Sequence, residues 1–410
     1  MSDHVVIIGA GHAGGSAAAL LRQYGWKGPI TLIGAEPVPP YQRPPLSKAW
    51  LKRQADAAGL ALRPATFYPT NAIALRLATP AIAIDPRNRA VTLGSGERLG
   101  YDHLVLATGA RPRMLPIPGH DLAGVLALRS MADADLLQAA LTQGSRLVVI
   151  GGGYIGLEVA ASARALGVAV TVIEREQRLL ARVASLPLSE FFARAHAAND
   201  VRILCGASIV AIEGAAGGVA GVRLADGTSL PCDIVLVGVG AAPDDALARA
   251  AGLACDDGII VDLAARTSDP RIHAIGDCTR RPLPLYARTG RLESVPNALE
   301  QAKQAAADLC GRPPPAPEVP WFWSDQYAIR LQIAGLPFDA DDIVLRGDPA
   351  DGKFAAFHLA ADGAIQAVEA VNAPAEFMAG RLMIARRQRT TAAALRASNP
   401  LPLAGEVGAR

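Results

Sequence analysis

Six glycines are spaced to hold phosphate. Gly9, Gly11 and Gly14 form one Gly-x-Gly-x-x-Gly triad, and Gly151, Gly153 and Gly156 form a second. Residues 4–20 read HVVIIGAGHAGGSAAAL and residues 147–163 read LVVIGGGYIGLEVAASA. Each is a short β-branched run, a glycine turn and an Ala/Leu-rich stretch. The first glycine makes the tight turn, the second lets backbone touch a pyrophosphate, and the third brings helix against strand. The anion then meets free N–H groups at the positive end of the helix dipole. One such triad alone says little. Here each is followed by a second β-branched run ending in an acid, ITLIGAE at Glu36 and VTVIE at Glu174. A carboxylate there accepts the hydroxyls of an adenosine ribose.

Two such sites imply two different dinucleotides, most economically a tightly held FAD and a diffusing nicotinamide. Glu174 repels a 2′-phosphate and so favours NADH over NADPH. Arg175 beside it keeps NADPH open, and also reads as a solvated surface charge. Tyr154 and Ile155, inside the second turn, join the NADH contacts.

The elements that must position these groups are strands and helices of an α/β chain. YDHLVLATGARP (101–112) and CDIVLVGVGAAP (232–243) each read as a buried strand ending in a Gly-containing turn and Pro. Thr108 and Gly109 end the first and Gly240 the second, as candidate FAD and NADH contacts respectively. TSDPRIHAIGDC (267–278) brings Gly276 and Asp277 to a strand's carboxyl end, where an Asp can bond the ribityl and phosphate part of a flavin.

Composition narrows the class further. The chain has 410 residues, 40 Lys+Arg against 38 Asp+Glu and a formal charge of +2, so no global field draws it to nucleic acid or membrane. Its length suggests two or three domains. The five Cys lack metal-clip or CxxC spacing, which argues against a disulfide framework, a zinc site or a redox dithiol and fits a reducing cytoplasm. Val5 to Leu21 approaches membrane-span length, but glycines and His12 break it into strand, turn and helix. The amino terminus lacks the marks of a secretory signal.

Together with PYQRPPLSKAWL (40–51), RLESVPNALEQAK (291–303) and PWFWSDQY (320–327), the two triads make the chain resemble the FAD-dependent NAD(P)H:ferredoxin reductases of bacterial oxygenase systems, on the glutathione-reductase-type fold. The resemblance covers nearly the whole chain. It implies two Rossmann-like dinucleotide-binding domains and a C-terminal α+β domain. The FAD domain would span 1–112 and 241–320, the NADH domain 113–240, and residues 321–410 would close the flavin site. The Pro-rich stretch 312–320 marks the last boundary on composition alone.

Residue by residue, the resemblance lays Arg43 and Lys48 along the flavin, with Lys48 near N5 and the C4 carbonyl. It brings Glu158 to the nicotinamide carboxamide and within pairing reach of Lys48. It also assigns Arg111, Arg129, Asp277 and Val295 to FAD, and Trp323 to the flavin edge where the partner docks. Lys48, Glu158 and Trp323 are the catalytic candidates. Structural alternatives stand beside these roles: Lys48 as a helix C-cap, Glu158 as a surface acid, Trp321 and Trp323 as core. Gln42 occupies a place where an acid is frequent in this motif.

The implied reaction passes hydride from nicotinamide C4 to flavin N5, then electrons one at a time to an acidic [2Fe–2S] ferredoxin serving a P450 or a ring-hydroxylating dioxygenase. The first cysteine is Cys205, so residues 1–204 offer no thiol for disulfide or peroxide reduction. Rubredoxin, quinone or monodehydroascorbate acceptors, and an apoptosis-factor-like NADH sensor, are the alternatives. The expected protein is a cytoplasmic monomer or weak dimer. The candidates for a basic docking face are Arg381, Arg386, Arg387, Arg389, Arg396 and Arg410, or Lys52, Arg53 and Arg63, and each cluster reads equally well as a solvated face of an amphipathic helix.

Overall fold

The computed structural model describes residues 3–397. The chain divides into two compact units, each assembled from separate segments. The first comprises Met1–Gln42, Ala57–Arg111 and Ala242–Pro320; the second comprises Arg43–Asp56, Pro112–Ala241 and Trp321–Arg410.

The first unit is built on a parallel sheet in the order Ile272–Ala274, His103–Leu106, Val5–Ile8, Ile30–Ile33, Ile73–Arg76. The chain adds strands first on one side of Val5–Ile8 and then on the other, and the carboxyl end of such a switch point is where open α/β sheets bind ligands. Val5, Ile7, Ile30 and Leu32 are fully buried on one face against the helices His12–Tyr24 and Val295–Leu309. Val6, Ile8, Leu104 and Leu106 on the other face meet Ile84, Val91 and Leu93 of a three-stranded antiparallel sheet. Burial on both faces explains why these strands read as unbroken apolar runs rather than alternating ones.

The second unit repeats the design. Its parallel sheet runs Val201–Cys205, Ala169–Glu174, Arg146–Ile150, Ile234–Val237, Val125–Leu126. An antiparallel sheet from Ile209–Ala215, Gly218–Leu224 and Ser229–Pro231 covers one face. The same unit holds a five-stranded antiparallel sheet in the order Trp321–Gln326, Ile329–Gly335, Ile365–Val371, Lys353–Leu359, Asp342–Asp348, with the helix Pro374–Ala385. Leu331, Ile333, Phe354 and Val371 of this sheet share one core with Leu157, Phe191 and Phe192, and Leu51 joins them. Residues 43–56 therefore pack in the second unit, although the sequence reading runs them within the first FAD segment.

Among the described residues no helix is long and apolar enough to cross a membrane, and no cluster of His, Cys, Asp and Glu is arranged to hold a metal. Arg410, of the first basic cluster, lies outside the described residues.

Candidate functional site

Both glycine triads fold into the same cradle. Gly9 leaves its strand at φ +112°, and a Cβ there would stand 2.1 Å from the Ala107 carbonyl oxygen. At Gly14 a Cβ would lie 1.9 Å from the Gly9 oxygen. The second triad matches: Gly151 has φ +107° with a Cβ position 2.4 Å from the Gly238 oxygen, and the Cβ position of Gly156 is 2.5 Å from the Gly151 oxygen. These four glycines are demanded by the chain's own backbone.

The middle glycines differ. A Cβ on Gly11 or Gly153 would meet nothing within 4 Å. Each is the N-cap of its helix, His12–Tyr24 or Tyr154–Ala165, and neither helix start has a side-chain cap. Three other helices are capped by Ser130, Ser185 and Ser294. Open space over a glycine, together with uncapped N–H groups, is the shape and chemistry a nucleotide pyrophosphate requires. The residues present fit the two dinucleotides.

In the first unit, Gly276 turns at φ +82°, and its Cβ position lies 3.1 Å from the Ala13 Cβ and 4.0 Å from that of Ala298. The absence of a side chain thus lets the starts of two helices converge, with Asp277 and Val295 beside them. The Gly276 N–H donates to Gln301 Oε1 at 2.8 Å, which fixes the turn. Tyr41, missed in the sequence, donates its hydroxyl to Glu36 Oε2 at 2.7 Å and orients that carboxylate. Thr108 Oγ1 donates to the Asp244 carbonyl, and Gly109 takes φ +74°. Arg111 is 62% exposed and pairs with Asp244 at 3.2 Å, so Asp244 is an ion partner that the sequence reading did not anticipate.

In the second unit, Glu174 sits under its cradle, accepting from the Gly152 N–H at 2.8 Å and the Glu176 N–H at 2.9 Å. Gly240 takes φ +104°, with the Arg182 guanidinium 3.7 Å from its Cβ position. Tyr154 packs edge-on against Phe322 at 4.8 Å and donates to the Val183 carbonyl at 3.2 Å. Burial pushes its phenol well above the ordinary range, with Glu369 adding to the rise. Ile155 is 52% exposed.

Lys48 and Glu158 form an ion pair at 2.7 Å, with Lys48 17% and Glu158 6% exposed. Two prolines pre-set the turn Pro44–Ser47 that presents the lysine, whose Nζ also donates to the Pro44 carbonyl at 3.2 Å. Glu158 takes two further donors that the sequence reading missed. Ser47 Oγ donates to Oε2 at 2.5 Å and Ser324 Oγ to Oε1 at 2.7 Å. Arg43 Nη1 donates to the Arg129 carbonyl at 2.6 Å, bringing those two residues together.

Trp323 is not brought to this pair. Along Trp321–Gln326, Phe322 meets Tyr154 and Ser324 meets Glu158, whereas Trp321 and Trp323 alternate onto the opposite face. Their rings lie 5.6 Å apart, and Trp321 contacts Phe377 at 5.7 Å.

A repeated dinucleotide cradle with a buried Lys–Glu pair defines a two-nucleotide oxidoreductase. The chain belongs to the pyridine nucleotide-disulphide oxidoreductase family, whose model matches residues 3–302, and residues 321–401 match a reductase C-terminal domain. It is 52% identical over 387 residues to a probable ferredoxin reductase, CtmF, of Castellaniella defragrans, covering 94% of each chain. It is 44% identical over 391 residues to putidaredoxin reductase CamA of Pseudomonas putida, covering 94% of this chain and 92% of that one. It superposes on the crystal structure of a covalent putidaredoxin reductase–putidaredoxin complex with a TM-score of 0.94 and 43% identity, over 97% of this chain and 96% of that one. The family resemblance and the α/β fold read from the sequence are borne out.

The disulphide chemistry in the family's name finds no support in these thiols. Cys205, Cys232, Cys255, Cys278 and Cys310 are all free, and burial pushes every one of them up, Cys232 to about 12. A thiol needs the opposite shift to act as a nucleophile.

Proposed function

We propose that this chain is an FAD-dependent oxidoreductase that draws electrons from NADH and delivers them to a ferredoxin. The observation that carries the reading is the duplicated cradle, open at Gly11 and Gly153 and closed by backbone on either side. FAD is assigned to the first cradle, because Gly276 and Asp277 add a strand-end acid at two converging helix starts. The second cradle takes the nicotinamide dinucleotide, and Glu174 selects NADH there. When bound, FAD supplies the exchange between a two-electron hydride donor and one-electron acceptors.

The chain's own groups supply position and charge. Lys48 carries the cation that favours a developing negative charge on the flavin, and Glu158 fixes where that cation stands. Arg43, Arg111 and Arg129 complete the FAD contacts, and Trp323 keeps its proposed place at the docking side. Domains follow as FAD-binding 1–112 and 241–320, NADH-binding 113–240 and C-terminal 321–410. Likeness to ferredoxin reductases over 94% or more of this chain supports the acceptor class. We assign it more narrowly as an acidic [2Fe–2S] ferredoxin serving a P450 or dioxygenase, met in the cytoplasm by a monomer or weak dimer.

Stopped-flow mixing tests this. NADH should bleach the flavin absorbance, and oxidised [2Fe–2S] ferredoxin should restore it in two one-electron steps. Restoration by rubredoxin or a quinone but by no [2Fe–2S] protein would refute the acceptor assignment.

A further inference from the structure

Beyond Ser324, hydrogen bonds continue away from Glu158 through groups the reaction does not use. Gln326 Nε2 lies 3.1 Å from Ser324 Oγ, Gln326 Oε1 lies 2.8 Å from His196 Nε2, and His196 Nδ1 lies 3.0 Å from the Tyr327 hydroxyl. Ser324, Gln326 and His196 are at most 1% exposed, so water does not substitute for any of these partners.

Donor and acceptor logic fixes every link from one end. The Glu158 carboxylate only accepts, and Ser47 and Lys48 already donate to Oε2. Ser324 must therefore donate to Oε1, which leaves its lone pairs for the Gln326 amide N–H. That turns Gln326 Oε1 toward His196, so Nε2 carries the imidazole proton and Nδ1 is bare. Tyr327 then donates to Nδ1. Burial holds the His196 imidazole below its ordinary range, against the opposing effect of Gln326, so one ring proton is the resting state.

Tyr327 is held for this contact. It sits at φ +55°, a left-handed conformation that non-glycine residues seldom adopt. Its ring packs on His196 at 5.1 Å. Charged groups face the chain at both ends: Lys48 at Glu158, and Arg164, whose charge opposes the burial that pushes the Tyr327 phenol up to about 12.

We propose that Ser324 is a positioning residue for Glu158, and that Ser324, Gln326, His196 and Tyr327 form a one-way donor chain through which the charge state at residue 158 fixes the tautomer of His196. The role of the chain in flavin reduction rests on the function proposed above; the tautomer coupling does not.

The deciding variant is Glu158→Gln. Ser47 and Lys48 would still donate to the oxygen of the new amide and turn its N–H₂ toward Ser324. Each link then reverses, and His196, still neutral, carries its proton on Nδ1. Nitrogen-15 NMR of the full chain, with and without FAD, reads this directly once the His196 signals are assigned by their loss in His196→Gln. Wild type should show an Nε2–H tautomer and Glu158→Gln an Nδ1–H tautomer. The same tautomer in both would overturn the chain. Ser324→Ala, which cuts it, should slow flavin reduction by NADH about tenfold, as loss of one hydrogen bond to a charged group predicts, while FAD content and the Michaelis constant for NADH hold. Ser324→Thr, which restores a hydroxyl, should recover the rate. A reversed tautomer with wild-type reduction by Ser324→Ala would keep the coupling and overturn the positioning role.

Discussion

At the residue scale, the proposed chemistry converges on the buried ion pair. Lys48 and Glu158 are both largely out of water, and removing one partner leaves the other charged in a low-dielectric place. Lys48→Ala should slow flavin reduction on the order of 100-fold, the usual effect of deleting one preorganised donor, with FAD still bound. A wild-type stopped-flow rate would make Lys48 structural. Glu174 has a different task. Its two oxygens are already anchored by the N–H groups of Gly152 and Glu176, which aims the remaining lone pairs. Glu174→Ala should weaken NADH about tenfold, the worth of one good charged hydrogen bond, and narrow the preference over NADPH. Comparative Michaelis constants for the two dinucleotides check this. A natural protein that prefers NADPH would contradict the ribose assignment.

At the element scale, two glycines two residues apart make opposite predictions. Gly9 is needed by the fold: its φ is +112° and its Cβ position collides with the Ala107 oxygen. Gly9→Ala should destabilise the protein by roughly 3 kcal/mol through strain and overpacking. Gly11 has extended backbone, φ −91° and ψ −161°, and an empty Cβ position. Gly11→Ala should leave the melting temperature of the flavin-free protein within about the ordinary surface range while flavin content on purification falls away. A Gly11→Ala protein that stays fully yellow would place the pyrophosphate elsewhere. This contrast also explains what was legible in the sequence. Strand, glycine turn and helix follow within a few residues, so both cradles and the acids after them stand out in the chain as written. The setting of Glu158 does not: Ser47 is 111 residues away and Ser324 is 166, and tertiary folding alone unites them. Ser324 did carry a faint signal, since strand alternation in PWFWSDQY puts it on the face opposite the two tryptophans. Asp244 opposite Arg111 and Tyr41 on Glu36 carried none, because a loop's course is not written in periodicity.

At the scale of the whole molecule, a near-neutral charge would force recognition of the proposed acidic partner onto local patches. Of the two proposed clusters, the helix Pro374–Ala385 and the turn after it hold the denser one. Arg381 is committed to the Trp321 ring at 5.6 Å, and Arg389 to Asp362 at 2.8 Å. Arg386 and Arg387 are exposed, and Arg387 takes φ +50°, which turns the chain out of the helix. Arg63 of the other cluster lies over the Phe67 ring at 5.7 Å, and Lys52 and Arg53 are that cluster's other charges. If ferredoxin docks by charge on the helix end, reversing Arg386 and Arg387 to Glu should raise its Michaelis constant about tenfold or more at low salt. Added salt should shrink the gap between wild type and variant, because screening weakens the contact that only the wild type makes. Reduction of a small dye by NADH should stay unchanged, since both cradles and the Lys48–Glu158 pair are untouched. An unaltered ferredoxin constant, indifferent to salt, would move the docking face to Lys52 and Arg53, where the same charge reversal repeats the test.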